Sequence, residues 1–476
     1  MKKLFSVVLL LFVGCNSAQS RLETKQRFAN YPWQFVTPMP YGRYGHDAVY
    51  VPNGKIYVMG GLVYKVEKGF KKGEGFNGWM KGHYNNGRYS NLAYDPKTDK
   101  WEYMTSVPGW GSGFMIYNPN TDHWSEYQGP MENYSDEDIQ KMSRPINPKD
   151  KSLKVYNSNL LRIGNGVAIT ISQKGILWTG GKSFTGEIEN IALPYDLITD
   201  KWPKHAHKIA RSSVSDKRTF FWEYDQREMY QTDIPPMQEP RRDHRAVTTA
   251  DGKIYVLGGW HEEKIGVNPE KGTFLKKVDI VSKTMECYDP TTNKWEYKKP
   301  LSRERMVFAA AVGKDDKIYV FGGAAGIVTE SQTLVLNTVE VYDPKTDSWS
   351  SRKPMPVKRS GHDAVLAADG KFYILGGEEF LDAPLNTVYI YDPEKDTWEK
   401  GPDMILARDC LAVVATPDGK IYAIGGTDDR AYKDKEQWKH LTSLIPEDEL
   451  DDYKGKVQDS VEVLDIYKWR KSKEKK

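Results

Sequence analysis

One short stretch recurs along this chain and constrains its fold more than any other feature: an apolar strand that ends in two glycines. Five copies begin with a lysine, and a sixth, weaker copy begins with a glycine. The copies are Lys55–Gly61, Gly175–Gly181, Lys253–Gly259, Lys317–Gly323, Lys371–Gly377 and Lys420–Gly426. Such a unit buries its apolar face only against neighbouring units. The 476 residues therefore predict one repeat domain, although length alone would indicate about three domains.

Each lysine-led copy belongs to a longer unit that begins with an arginine twelve residues earlier. These arginines are Arg43, Arg241, Arg305, Arg359 and Arg408. After a variable loop comes a second hairpin, whose turn is rich in Asp, Pro and Asn and which ends in a tryptophan that packs between sheets. The tryptophans are Trp101, Trp202, Trp295, Trp349 and Trp398.

These units resemble kelch repeats, which form the four-stranded blades of a β-propeller. The resemblance covers about residues 33–470, and it weakens between residues 104 and 240. Six blades are readable, and the unassigned hairpins Phe114–Trp124 and Phe221–Tyr230 indicate a seventh. A strand at Trp33 and the strand Ser460–Asp465 are predicted to pair and close the ring. The prediction is an all-β, kelch-type propeller of seven blades.

The N-terminus carries an export signal: Lys2 and Lys3 precede an apolar core, Leu4–Val13, and then Cys15. The cysteine after a small residue resembles a lipoprotein processing site; the alternative is a plain secretory signal with a chance cysteine. The predicted organisation is a signal peptide at 1–14, a tether at 15–30, one propeller domain at 31–470 and a basic tail at 471–476. Lipid on Cys15 would place the protein in the cell envelope, at the outer membrane of a Gram-negative bacterium.

The two remaining cysteines, Cys287 and Cys410, lie in strand-like repeat segments. We expect two small buried thiols there, with a single disulfide as the alternative for an exported protein. Their spacing predicts no metal site. A net charge of +3 gives no argument for nucleic acid, and we expect a monomer that needs no cofactor and meets the membrane only through its anchor.

The repeat assigns every loop to one of two faces. Loops after the second and fourth strands of a blade share what we call the loop face, and the short turns share the opposite, plain face. The long insertions all belong to the loop face, which predicts a single working surface. They are 62–90, 103–161, 204–219, 260–285 and 427–459.

Several polar and aromatic side chains fall on these insertions. His83 and Arg88 lie in a basic loop that would favour an anionic polymer, His205 precedes Arg211, and Trp260-His261 opens another loop. The histidines that follow the repeat arginines recur in equivalent places, which favours a structural role. These histidines are His46, His244 and His362.

In fold, length and export, the chain also resembles the kelch-propeller ulvan lyases, which cut a uronate-containing algal polysaccharide. That resemblance implies β-elimination, with an arginine neutralising the uronate carboxylate and Tyr and His moving protons. It implies His83, Tyr195 and Arg211 as catalytic residues. Tyr195 also fits the ordinary kelch Tyr-Asp position. The expected partner is an anionic polysaccharide, with binding residues Arg88, His205, Arg241, Trp260 and His261.

Two other functions stay open. The first is a noncatalytic kelch module that binds glycan or protein at the cell surface. The second is a sialic acid mutarotase, which the length of the loops disfavours because a small sugar needs no extended cleft.

Overall fold

The computed structural model describes residues 28, 30–39, 42–64, 91–104, 114–118, 123–127, 144–145, 168–172, 175–181, 192–195, 197, 234–267, 274–326, 334–379, 384–427 and 458–474. His83, Arg88, His205 and Arg211 lie outside them, as do Cys15 and the segment predicted to be a signal peptide.

The N-terminal half holds eleven strands. They are β1 Trp33–Phe35, β2 Gly42–Tyr50, β3 Ile56–Tyr64, β4 Asn91–Asp95, β5 Lys100–Met104, β6 Phe114–Asn118, β7 His123–Tyr127, β8 Arg144–Pro145, β9 Ala168–Ser172, β10 Gly175–Thr179 and β11 Ala192–Tyr195.

The C-terminal half holds the remaining strands and one helix. They are β12 Arg245–Thr248, β13 Ile254–Leu257, β14 Trp260–Val267, β15 Phe274–Val281, β16 Met285–Asp289, β17 Lys294–Lys298, β18 Ala309–Val312, β19 Ile318–Ala325, β20 Leu334–Asp343, β21 Ser348–Arg352, β22 Asp363–Leu366, β23 Phe372–Leu375, β24 Val388–Asp392, β25 Thr397–Lys400, β26 Ala412–Ala415, β27 Lys420–Ile424, β28 Val461–Asp465 and α1 Ile466–Glu474.

These strands form five four-stranded antiparallel blades. Blade A is β2-β3-β4-β5, blade B is β12-β13-β16-β17, blade C is β18-β19-β20-β21, blade D is β22-β23-β24-β25 and blade E is β26-β27-β28-β1. A three-stranded sheet, β9-β10-β11, lies between blades A and B. The architecture is therefore the predicted all-β, kelch-type propeller.

The predicted number of seven blades is wrong. The innermost strands contact each other in the cycle β2, β9, β12, β18, β22, β26 and back to β2. Five blades and the three-stranded sheet thus close the ring. The hairpin of β6 and β7, taken as part of a seventh blade, pairs with β8 in a separate small sheet. The other unassigned hairpin, Phe221–Tyr230, lies outside the described residues.

The ring is closed by the two ends of the chain, as predicted. β1 pairs antiparallel with β28, and Trp33 stands opposite Leu464. Trp33 is fully buried, and its indole N–H donates to the carbonyl of Pro402 at 2.9 Å. Blade E is therefore built from both termini, which leaves no unpaired strand edge at the seam.

Aromatic pairs fill the space between sheets. In blade C the rings of Tyr342 and Trp349 lie 5.2 Å apart, and the Tyr342 hydroxyl donates to Asp347 at 2.7 Å. Asp347 closes the turn between the two strands with a positive φ of 46°. The Tyr-Asp and Trp motifs of the sequence are thus one packing unit.

Helix α1 follows β28 and runs through Glu474, four residues past the predicted end of the propeller domain at residue 470. Its Ile466 and Trp469 are buried. Among the residues that the structure describes, no helix has the length and hydropathy needed to cross a membrane.

Candidate functional site

The arginine that opens each blade is buried and structural. One of its terminal nitrogens donates to the carbonyl of the first glycine in the Gly-Gly pair of the same blade, always seventeen residues later. The bonds are Arg43 to Gly60 at 3.2 Å, Arg241 to Gly258 at 2.8 Å, Arg305 to Gly322 at 3.0 Å, Arg359 to Gly376 at 2.8 Å and Arg408 to Gly425 at 2.6 Å.

A glutamate on the third strand completes this arrangement in blade B. Arg241 pairs with Glu286 at 2.9 Å, and both side chains are fully buried. Glu286 also accepts the backbone N–H groups of Gln238 and Glu239, at 2.6 and 3.1 Å. Because Arg241 is held inside the blade, it does not present its guanidinium to a substrate.

Blade D departs from this pattern. The third-strand position holds Tyr389, and the Arg359 guanidinium lies 5.3 Å from its ring. Arg359 also donates to the Thr387 hydroxyl at 3.0 Å. Burial lowers the pKa of Arg359 to about 10, since desolvation disfavours the charged form.

The Gly-Gly pairs allow neighbouring blades to approach closely. A Cβ on Gly376 would lie 2.5 Å from the carbonyl oxygen of Arg408 in the next blade. Gly376 also has a positive φ of 66°, a conformation that glycine adopts without steric cost. The same contact at Gly180 brings the ring of His244 over the glycine.

The recurring histidines lie at these blade contacts. His46, His244 and His362 are buried, and His244 shares a hydrogen bond of 2.9 Å with the Thr179 hydroxyl of the preceding sheet. Burial lowers the pKa of His46 to about 3, so its ring is neutral at physiological pH.

Four backbone hydrogen bonds follow one another around the mouth of the propeller on the loop face. Val307 N–H donates to Asp243, Gly361 to Val307, Cys410 to Gly361 and Gly45 to Cys410, at 2.8–3.0 Å. All five residues have a positive φ. We call these five residues the mouth ring, although the series is open at the three-stranded sheet between blades A and B. It links the entrances of the five four-stranded blades.

One side of the mouth is apolar. Trp260, Met306 and Ala324 form a cluster with the partly buried Val281 and Val307. Cross-strand bridges at Met306–Ala324 and at Arg242–Trp260 set this arrangement.

The Trp260 side chain has a fixed orientation. Its indole N–H donates to Asp243 at 2.8 Å. The Arg242 guanidinium lies 4.8 Å from the ring and pairs with the same carboxylate at 2.9 Å. A stacked cation and a hydrogen-bonded edge together hold the indole in one position.

The adjacent side of the mouth is acidic. Asp243, Glu378 and Asp409 surround Cys410, whose Sγ lies 3.3 Å from Asp409. Burial raises the pKa of the Cys410 thiol, and these three carboxylates raise it further. Cys410 and Cys287 are free thiols, and the raised pKa makes Cys410 a poor nucleophile.

Three charged side chains on the innermost strands form a group across the propeller axis. Arg245 donates to the carbonyl of Phe308 at 2.7 Å and pairs with Asp363 at 3.3 Å. Asp47 is buried near both charges, and its pKa is raised to about 6, mainly by burial and also by Asp363, although Arg245 opposes the shift. Arg245 thus connects blades B, C and D.

Besides Arg241, the structure describes three of the predicted site residues, Tyr195, Trp260 and His261. Tyr195 stands opposite Ile176, as Tyr288 stands opposite Ile254, so Tyr195 occupies the structural tyrosine position of a blade. Trp260 belongs to the mouth, and the next residue, His261, is half-buried on β14. Within the described residues no group of His, Cys, Asp and Glu is placed to hold a metal ion.

The residues of the mouth were not predicted, apart from Trp260. Arg242, Asp243 and Asp409 follow the repeat arginines, and Glu378 follows a Gly-Gly pair. Their positions next to these motifs are the signal that identifies them. The described mouth is acidic, in contrast to the basic surface expected from the loop at residues 65–88.

Fold and motifs together define a kelch-repeat β-propeller. The sequence model of the KLHDC2/KLHL20/DRC7 Kelch-repeats domain matches residues 211–377 and 299–442.

Individual relatives show the same repeats. The chain is 33% identical over 139 residues to Kelch repeat and BTB domain-containing protein 12 of Homo sapiens, covering 28% of this chain and 21% of that protein. It is 25% identical over 301 residues to Alpha-scruin of Limulus polyphemus, covering 59% and 28%. It is 28% identical over 207 residues to Kelch-like protein 41 of Rattus norvegicus, covering 41% and 30%. The matches span between a fifth and a third of these relatives' length.

These findings correct the predicted activity. The sequence similarity is to kelch-repeat proteins and not to a polysaccharide lyase. Arg241 is buried and Tyr195 holds the structural tyrosine position, while His83 and Arg211 lie outside the described residues. The prediction of an ulvan-type lyase is therefore wrong.

Proposed function

We propose that this chain is a noncatalytic binding module that holds a protein partner at the loop-face mouth. The observation that carries the proposal is the apolar cluster at the mouth, whose partly buried members are Val281 and Val307, together with the carboxylates of Asp243, Glu378 and Asp409 around Cys410. Trp260 and Met306 are buried beneath the mouth surface and support these two valines. The similarity to kelch-repeat proteins supports a binding role, because the loops of such a scaffold carry binding sites.

The two sides of the mouth define the chemistry of the bound segment. The partly buried Val281 and Val307 of the apolar cluster contact a leucine or aromatic side chain. Glu378 and Asp409 favour a lysine or arginine next to it, because charge complementarity selects partners and excludes like-charged ones; Asp243 is already paired with Arg242. The backbone hydrogen bonds of the mouth ring connect both sides to neighbouring blades, which reduces the entropy lost on binding.

A peptide series tests this proposal. Each synthetic peptide carries a central phenylalanine flanked by lysine, glutamine or glutamate, and fluorescence anisotropy measures its Kd. We expect the lysine-flanked peptide to bind tightest and the glutamate-flanked peptide weakest. Equal affinity across the series, or no binding of the lysine-flanked peptide, would overturn the proposal.

Two matched substitutions locate the site. Glu378→Gln should weaken the lysine-flanked peptide about tenfold, the equivalent of ~1.4 kcal/mol. Glu394→Gln makes the same chemical change at an exposed turn on the plain face and should leave the Kd unchanged. Equal effects of the two substitutions would place the site elsewhere.

We also propose that the protein is exported and lipid-anchored through Cys15 in the cell envelope. The charged start, the apolar core and the cysteine support this proposal. Expression of the full chain in a Gram-negative host followed by detergent phase partitioning tests it. The protein should enter the detergent phase, and Cys15→Ala should move it to the aqueous phase; unchanged partitioning would contradict lipid attachment.

A further inference from the structure

Both described ends of the chain meet at one corner of the plain face. β28 is the third strand of blade E, and the third strand of a blade runs from the loop face to the plain face. Helix α1 therefore begins at the plain face, where the other blades make the turn between their third and fourth strands. β1 enters at the same place, because Trp33 stands opposite Leu464 near the end of β28. Phe28 is buried in one cluster with Ile466 and Trp469.

Helix α1 is fixed on this corner. Ile466 and Trp469 form its buried side. The guanidinium of Arg470 pairs with Asp369 at 2.9 Å and with Glu399 at 3.0 Å, both in blade D or its first turn. Apolar packing and a double ion pair therefore determine which side of the helix faces outward.

The outward side is basic and carries one aromatic ring. Tyr467 is 52% exposed, and Lys468 and Lys471 are exposed. These two lysines are three residues apart and therefore share a helix side; among the described residues, neither forms an ion pair. Lys473 is also exposed, but it follows Trp469 by four residues and lies 4.4 Å from its ring, so it belongs to the other side of the helix.

We propose that this corner, formed by Tyr467, Lys468 and Lys471, docks on an anionic lipid bilayer and directs the loop face away from it. Flexible lysines suit a diffuse anionic surface, whereas selective phosphate recognition favours the rigid fork of arginine. The arginine of the helix, Arg470, is paired with two carboxylates of blade D. Tyrosine is a residue of membrane–water interfaces, and its exposure beside two lysines fits that setting.

The position of the chain ends agrees with this orientation. A lipid on Cys15 would hold the corner where β1 enters, which is the same corner. The inference rests on α1 alone and does not depend on lipid attachment or on the partner bound at the loop-face mouth.

Vesicle sedimentation tests the proposal with the full chain carrying Cys15→Ala, which removes the lipid site. We expect binding to mixed phosphatidylglycerol and phosphatidylcholine vesicles, release at high salt, and no binding to phosphatidylcholine alone. The double variant Lys468→Gln and Lys471→Gln should bind about 30-fold more weakly, since each lysine contributes about 1 kcal/mol and 1.4 kcal/mol is a factor of ten.

A second double variant controls for net charge. Lys283→Gln and Lys294→Gln neutralise two exposed lysines of blade B, whose innermost strand lies three positions from that of blade E in the ring of six. This variant should bind as the unsubstituted chain does. Equal losses in the two variants, or binding to phosphatidylcholine alone, would overturn the proposal. So would binding to duplex DNA but not to the anionic vesicles.

Discussion

The buried ion pair between Arg408 and Glu462 is expected to be the largest single electrostatic contribution to blade E. The two side chains lie 2.9 Å apart and are fully buried. Glu462 also accepts the backbone N–H groups of Ile405 and Leu406, at 2.6 and 3.0 Å. Glu462→Gln keeps the shape but removes the charge, and it turns an amide N–H₂ group toward one of these donors.

The expected loss is about 3–5 kcal/mol in the free energy of unfolding, the range found when one partner of a buried pair is removed. Urea unfolding followed by tryptophan fluorescence measures it, with Trp33 in the same blade as a reporter. Glu474→Gln is the control, because Glu474 is exposed at the end of α1 and such changes stay within about 0.5 kcal/mol.

A loss below about 1 kcal/mol for Glu462→Gln would refute the reasoning, since that is the range of an exposed pair. A second comparison separates the charge from the hydrogen bonds. Replacing both partners, as Arg408→Met with Glu462→Leu, removes both charges but leaves the N–H groups of Ile405 and Leu406 without an acceptor, so it should cost at least as much as Glu462→Gln alone. If the double replacement costs less, the unpaired charge and not the lost hydrogen bonds causes the loss in Glu462→Gln.

Three further predictions follow from other sites. Gly376→Ala should destabilise the fold by more than 2 kcal/mol as a rough lower bound, because its Cβ would lie 2.5 Å from the carbonyl oxygen of Arg408; thermal unfolding measures it, and an unchanged Tm would contradict it. Asp47 has a raised pKa of about 6, so its contribution to stability is lost as the pH rises from about 4 through 6, by at most about 3 kcal/mol. Asp47→Asn should reduce the change of the unfolding free energy with pH, which urea unfolding at several pH values measures. An equal change in the variant would show that other groups cause it. Val307→Gly should raise the Tm, because a β-branched residue at a φ of 46° is strained by about 1–2 kcal/mol; a lowered Tm would show that the lost packing outweighs the relieved strain.

The sequence predicted the sheets that carry a Gly-Gly anchor. Six anchors correspond to the six sheets of the ring, because each anchor reports a real contact between neighbouring sheets, as at Gly376. The predicted seventh blade rested on hairpins without an anchor. A hairpin pattern such as that of β6 and β7 reports local pairing only, and nothing in it says whether the hairpin joins the ring.

The mouth was harder to predict for a related reason. Whether Arg241 faces a ligand or the blade interior depends on Glu286, forty-five residues away, and no local pattern shows that pairing. A local pattern therefore assigns substrate binding to the arginine itself. Its neighbours Arg242 and Asp243 carry no repeated signature, although the fold places them at the mouth.

At the arginine site, two positions that are distant in the chain depend on each other: the residue three before the arginine and the glutamate of the third strand. The third-strand glutamate accepts the N–H three residues before the arginine in blade E, where that residue is Ile405. In blade D the same position is Pro356, which has no N–H to donate, and the glutamate is replaced by Tyr389.

Blade A shows the same dependence. Pro40 lies three residues before Arg43, and the third-strand position is Leu92. A buried carboxylate without enough donors is costly, so losing one N–H removes the reason to keep the glutamate. The presence of the proline and the absence of the glutamate therefore have one physical cause, although the two positions are distant in the chain. It separates the blades whose arginine pairs with a third-strand glutamate from those whose third strand has no glutamate at that position, and it shows why identical arginines need not share an environment.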